Sequence, residues 1–258
     1  MISLPILRSW WLQGKRWLTE QFHPTFRFKS YIGNFAVATP VVSAVRLKPK
    51  WVERQEGEVR FRDCPGMQDY AQAGYLITAP FDIHIKANSE GVVVEVDSSG
   101  VDPRFLLPKP FNPKVVQGFM EREGVSEEIW KIPLPWMVKS KKGYSGYLLP
   151  ALFHTADYLD KIYIFPGTID FDHFHNINLV FKTLKECEFT IPAGTVILQC
   201  LPFRREEFTA ECGKATEEES DAQMFNMPSK LKNYYRKYLS RRKIYKMSCP
   251  YDHREIKK

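Results

Sequence analysis

No window of the 258-residue chain approaches the roughly 18 consecutive apolar residues that a membrane-spanning helix needs, so no membrane partner is expected. Cysteine is sparse. The five, at 64, 187, 200, 212 and 249, are odd in number and form no CxxC pair or finger spacing. Neither a disulfide scaffold nor a structural zinc site is supported, and a reducing compartment is the default. Residues 1–19 hold three Trp and three basic residues without a small-residue cleavage site, which argues against a secretory signal.

What is present is a globular composition, 44% hydrophobic and 26% charged. Eighteen Pro, 14 Gly and 14% aromatic residues favour short elements and turns over long helices, which leans towards β structure. The formal net charge of +7 is unevenly placed. Residues 229–258 carry 11 Lys and Arg against two acids, which leaves 26 cations against 28 acids in residues 1–228. The basic character belongs to a C-terminal tail.

Along the chain, residues 1–60 read as an N-terminal extension. Trp10, Trp11, Gly14, Trp17 and Leu18 fall at helical spacing and predict a short amphipathic helix that docks on its own core or on a partner. Residues 61–205 read as a β domain. Asp63-Cys-Pro-Gly-Met67 is a turn, Gly74 to Ile85 a strand, and Asn88-Ser-Glu-Gly91 a hairpin turn into Val92 to Val96. The Pro-rich stretch 101–135 predicts an insertion with one helix, Pro113 to Glu123. Runs at Gly143–Leu149, Ile162–Phe165, Ile177–Phe181, Glu188–Ile191 and Thr195–Pro202 predict the short strands of a sandwich or barrel. Residues 206–228, with seven acids and one Lys by Asp221, read as a solvated linker. Ser229 then caps an expected helix over 229–258, whose Leu231, Tyr234, Tyr235, Tyr238 and Tyr245 form one stripe.

The most specific text lies in residues 167–203. Gly167-Thr-Ile-Asp-Phe-Asp-His-Phe-His175 leads into a hydrophobic run, and Ile191-Pro-Ala-Gly-Thr-Val-Ile-Leu-Gln199 follows. These resemble the third and fourth motifs of the trimeric dUTPase family, Gly-x-Ile-Asp-x-Asp-Tyr and Ile-x-x-Gly-x-x-Ile-Ala-Gln. In the family's order, Gln72-Ala-Gly-Tyr-Leu-Ile-Thr-Ala-Pro80 resembles its first motif, and Gly143-Tyr-Ser-Gly-Tyr-Leu-Leu-Pro150 the approach to its second. Four matches in sequence order carry more weight than any one alone. The resemblance covers residues 72–203 and implies a mainly β fold with α additions: a dUTPase-like β-clip barrel, carrying the N-terminal extension, the Pro-rich insertion and the basic C-terminal helix. It also implies a homo-oligomer, typically a trimer. Lys48-Pro-Lys-Trp51, Cys64-Pro-Gly66 and Gly74-Tyr75 resemble in addition a bacteriophage and bacterial family with no assigned activity.

By that resemblance, Asp170 stands where the family places its water-activating acid, Asp172 matches the next acid, and His173 replaces the Tyr that stacks on deoxyribose. Gly167, Tyr147, His173 and Gln199 are the candidate ligand-binding positions. The residues alone leave another reading open, since Asp caps tight turns by accepting backbone N–H bonds. His173 and His175 share a strand face, as a metal site uses, but read equally well as solvated turn residues, and no metal site is assigned. Mg²⁺ enters only if the chain hydrolyses nucleotides. His154 and Asp157 match no ligand set and read as surface; Cys187 and Cys200 read as buried thiols. The departures are large. Leu76 replaces an acid, Ala151 and Leu152 replace the phosphate-holding Arg-Ser, and no Gly-rich arm with an Arg follows. Losing one charge-stabilising donor costs about 10²–10³ in rate, so several losses together predict little dUTP hydrolysis.

Three functions follow as expectations. The leading one is a non-catalytic phage-type protein that binds a partner or assembles, in the host cytoplasm or in a virion. The second is a diverged nucleotide hydrolase or deaminase relative using Asp170, which predicts a pocket lined by the 170–173 residues and not carboxylates consumed in local bonds. The third is nucleic-acid binding through Lys230, Lys232, Arg236, Lys237, Arg241, Arg242 and Lys243, where cations interleave with Tyr. The same tail reads alternatively as a stripe packed on the protein or docked on an acidic surface.

Overall fold

The structure is a computed structural model that describes residues 25–32, 39–47, 49, 65–97, 107–110, 128–154 and 157–226. The expected helices near Trp10–Leu18 and over 113–123, Asp63 and Cys64 of the first turn, and the whole basic tail lie outside the described residues. The chain separates into two compact units, residues 1–42 with 74–205 and residues 43–73 with 206–258.

The first unit is mainly β. Its described strands are β1 (Arg27–Ser30), β3 (Tyr75–Thr78), β4 (Ile83–Asn88), β5 (Gly91–Val96), β6 (Lys109–Pro110), β7 (Trp130–Lys139), β8 (Tyr144–Pro150), β9 (Ile162–Ile164), β10 (Gly167–Asp170), β11 (His175–Thr183), β12 (Cys187–Ile191) and β13 (Val196–Arg204), with the two-residue β2 (Val42–Ser43) at the unit boundary. They form three antiparallel sheets. The first runs β1-β7-β11-β9 with β6 also on β7, the second β10-β8-β13-β3-β2, and the third β12-β4-β5.

Strand β7 shows how the sequence builds the core. Ile132, Leu134, Trp136 and Val138 alternate along it and are all buried, as are Ile177, Leu179 and Phe181 of its sheet neighbour β11. Each such side chain contributes roughly 1.5–3 kcal/mol by leaving water. Residues 130–135 are therefore not the end of an insertion: they form the first part of a central strand. Pro133 and Pro135 hid this, because proline lacks the N–H that a ladder uses. The fold accommodates both at a bulge, where Asn176–Asn178 of β11 spans Met137–Pro133 of β7. Beyond the last β1 pair, Ser30↔Trp136, Tyr31 donates its backbone N–H to Pro135 O at 3.2 Å and its hydroxyl to Leu134 O at 2.9 Å.

The run Gly74 to Ile85, expected as one strand, is two strands in different sheets. The chain turns at Pro80, where Ala79 N–H donates to Thr195 O (2.7 Å), Gly194 N–H to Ala79 O (2.8 Å), and Ala193 N–H to Asp82 Oδ1 (2.7 Å). Local patterning does not announce this change of sheet: β4 alternates buried and exposed residues, while in β3 Leu76, Ile77 and Thr78 are buried in succession, and both read as strand. The β4–β5 hairpin turns at Asn88-Ser-Glu-Gly91, as the turn residues predict.

In the second unit, Pro65–Ala71 is a helix of about two turns, α1. Residues 206–216 form no helix or strand and are exposed, but 217–226 are not linker: Glu217–Asn226 is a helix, α2. Its start is a capping box. Glu219 N–H donates to Thr216 Oγ1 at 3.2 Å, and Thr216 N–H to Glu219 Oε2 at 2.8 Å. Three glutamates in the first turn complement the helix dipole. Among the described residues no helix is long and apolar enough to cross a membrane.

Candidate functional site

The sequence motifs converge in the second sheet. β10 pairs with β8 so that Asp170 lies opposite Ser145 and Gly167 opposite Leu148, and β13 lies along the other side of β8. Between them sits Phe171, fully buried, its ring edge-on to Phe26 at 5.4 Å. Gly146 makes room for that ring, because a Cβ there stands 2.5 Å from Phe171 Cε2 and 3.0 Å from Cys200 Sγ. At Gly74, with φ of 68°, a Cβ stands 2.0 Å from Cys200 O. The glycines of the first and second motifs thus serve close packing against residues of the third and fourth.

Phe171 also ties its turn to the preceding loop. Ser140 N–H donates to Phe171 O at 2.7 Å, and Phe171 N–H to Tyr144 O at 3.2 Å. This holds the flanking carboxylates of Asp170 and Asp172 towards residues 143–145 and towards Arg205, the residue that follows β13. Asp170 Oδ1 accepts the Ser145 hydroxyl at 2.6 Å and lies 3.0 Å from Arg205 Nη1. Asp172 Oδ1 accepts the Gly143 N–H at 2.8 Å, and its Oδ2 accepts from Arg205 Nη2. The planar guanidinium fork spans both acids. The Ser145 hydroxyl, then Arg205, holds Asp170 below the usual carboxylate range. Asp172 is lowered first by Arg205 and then by the Gly143 N–H, and Arg205 is raised in return.

Such a pair is a weak general base, since proton abstraction near neutral pH favours a carboxylate of raised pKa. Of the positions where the sequence departs from the motifs it resembles, Leu76, in place of an acid, and Ala151, in place of an Arg, are fully buried core residues, and Leu152, in place of a Ser, is exposed.

The other expected site residues do not join this cluster. Gln199 is fully buried within β13, between Leu76 and Leu149 in register. Gly167 sits at the far end of β10 from Asp170, beside open space. Tyr147 is half-exposed and stacks on Phe203 with ring centroids 4.4 Å apart. His173 and His175 are exposed, and His175 Nδ1 lies 3.0 Å from Asn176 O. Among the described residues no group of three His, Cys, Asp or Glu is placed to hold a metal. Cys200 is buried and its thiol is pushed up to about 12 by desolvation, while Cys187 is half-buried, its thiol raised by the same cause. Sequence reading missed Ser145, Gly143 and Arg205 as partners of the acids. Its one available signal was the Arg204-Arg205 pair standing between the last strand and an acidic stretch.

These features define a mainly β protein whose 170–172 turn is held by a carboxylate–guanidinium tie. No family model and no curated protein matches the chain. Among solved structures, it is similar to a single-residue variant of the dUTPase of Staphylococcus bacteriophage 80alpha, with a TM-score of 0.33 and 11% identity over 75% of this chain and 98% of that one.

Proposed function

We propose that the chain is a non-catalytic binding or assembly protein on a dUTPase-like β scaffold, a homo-oligomer of phage type. The observation that carries this reading is the engagement of Asp170 and Asp172 by Ser145, Gly143 and Arg205. In a hydrolase the equivalent acid must orient water; here the two carboxylates brace the chain where β13 ends. The burial of Leu76, where the resemblance implies an acid, and of Ala151, where it implies a phosphate-holding Arg, supports the same reading, because fully buried apolar residues supply neither charge. The motif similarities of residues 72–203 then reflect shared turns and strand register, which a fold retains after its chemistry is gone.

The test is thermal melting of the protein with each deoxynucleoside triphosphate at millimolar concentration, with and without Mg²⁺, alongside Asp170→Asn. A ligand that binds only the folded state raises its stability by mass action. No shift and no hydrolysis are expected. A shift with one nucleotide that Asp170→Asn abolishes overturns the reading in favour of a diverged nucleotide enzyme. Sedimentation analysis tests the oligomer, with a trimer expected.

A further inference from the structure

The overall charge conceals a polarised surface. The five strands of the first sheet carry six cations and no acidic residue; Lys182 is buried, and Arg27, Lys29, Lys109, Lys131 and Lys139 reach the surface in whole or in part. Yet residues 1–228 hold more acids than bases. At one end of the sheet two of these cations, Lys29 and Lys139, lie over an exposed aromatic ring. Phe174 keeps 41% of its surface exposed, with Lys29 Nζ 5.1 Å and Lys139 Nζ 5.6 Å from its ring centroid.

Strand alternation builds this arrangement. Val138 points into the core, so Lys139 points out, and Arg27 lies opposite Lys139 in register. Neither Lys29 nor Lys139 has a carboxylate partner among the described residues. Exposed Lys141 and Lys142 follow directly in the turn after β7, with exposed His173 and His175 flanking the ring. The acids of the adjoining 170–172 turn are already held by Arg205.

Two ammonium groups drawn over one ring repel each other, and a surface aromatic costs hydration; a polyanion with flat aromatic groups relieves both. Single-stranded nucleic acid has that chemistry. We propose that this face binds single-stranded nucleic acid, with a base stacked on Phe174 and the flanking phosphates held by Lys29 and Lys139 and then by Lys141 and Lys142. The flexible lysine stems let the ammonium groups swing from the ring to the phosphates as the base arrives. The site is independent of Asp170 and of whether the chain catalyses anything.

The experiment is fluorescence anisotropy of an oligothymidylate of about 20 nucleotides, titrated with the full chain across a salt series. A duplex of equal length serves as the arm in which phosphates are present but base faces are covered. Phe174→Ala is expected to weaken single-strand binding by about fivefold or more and to leave duplex binding unchanged. The double variant Lys29→Gln/Lys139→Gln is expected to flatten the log–log salt dependence by about 1.4, or ~0.7 per phosphate. These side chains lie at the surface, and an unchanged circular-dichroism melt confirms that each variant folds. The basic 229–258 segment is present throughout, so any difference belongs to this face. Three results overturn the proposal: no binding by the parent chain at low salt, variants that bind with the parent's affinity and slope, or a loss that ignores Phe174 and is equal for the duplex. The last marks a general surface for polyanions or acidic proteins.

Discussion

Asp172 and Arg205 close a ring of hydrogen bonds through Gly143. Gly143 N–H donates to Asp172 Oδ1 at 2.8 Å, Arg205 N–H donates to Gly143 O at 2.8 Å, and Arg205 Nη2 donates to Asp172 Oδ2. One side chain from the third motif thereby fixes where the last strand ends. Arg205→Gln breaks the fork to both acids, and a lower melting temperature is expected. The drop should be smaller than that of a core truncation, because these side chains are partly exposed and solvent screens them.

The same tie sets an acid dependence. Asp170 and Asp172 titrate lower in the folded chain than in the unfolded one, where Asp titrates near 3.9. Their contribution is complete above that unfolded value and is lost as pH falls through the lower folded values. The parent chain should lose melting temperature below about pH 4, and Asp170→Asn/Asp172→Asn should lose less over the same interval. Parallel melting curves for parent and variant across that interval count against the tie.

Two glycines should respond differently to alanine. At Gly146 the added methyl meets the Phe171 ring and the Cys200 sulfur, groups that can shift, and a loss of about 1–3 kcal/mol is expected from chemical denaturation. At Gly74 it meets a backbone carbonyl and the φ of 68° is itself strained for alanine, so Gly74→Ala should fail to accumulate as soluble protein. Equal tolerance of both changes contradicts the packing of the motifs.

Tyr158 is buried and donates its hydroxyl to Val196 O at 2.8 Å, pinning the 157–161 turn to β13. Tyr158→Phe leaves that carbonyl without its donor. A loss of about 1 kcal/mol, and up to ~3, is expected in urea unfolding.

Thiol reactivity should follow burial. Cys212 is exposed, whereas Cys200 is enclosed and desolvation pushes its thiol up to about 12, which suppresses the reactive thiolate. Timed alkylation followed by peptide mapping should modify Cys212 before Cys187, and Cys200 only on unfolding. Early labelling of Cys200 in the folded chain contradicts the burial.

The sequence by itself determined the mainly β character, the five strand runs from Gly143 to Pro202, the β4–β5 hairpin, and Asp170 and Asp172 as residues of one turn. Those features are local: alternation of period two and Gly or Asn at turns depend on neighbours a few residues away. Only the tertiary structure decided that Gly74–Ile85 divides between two sheets, that Pro133 and Pro135 lie in a central strand, and that Arg205 clamps the turn. Each depends on a partner distant in sequence, Asn176–Asn178 across the bulge for the prolines and Asp170 and Asp172 across more than thirty residues for Arg205. Propensity cannot anticipate such a partner. The partners of the two acids were decided there as well, since the letters alone do not say what the fold brings to a carboxylate's oxygens.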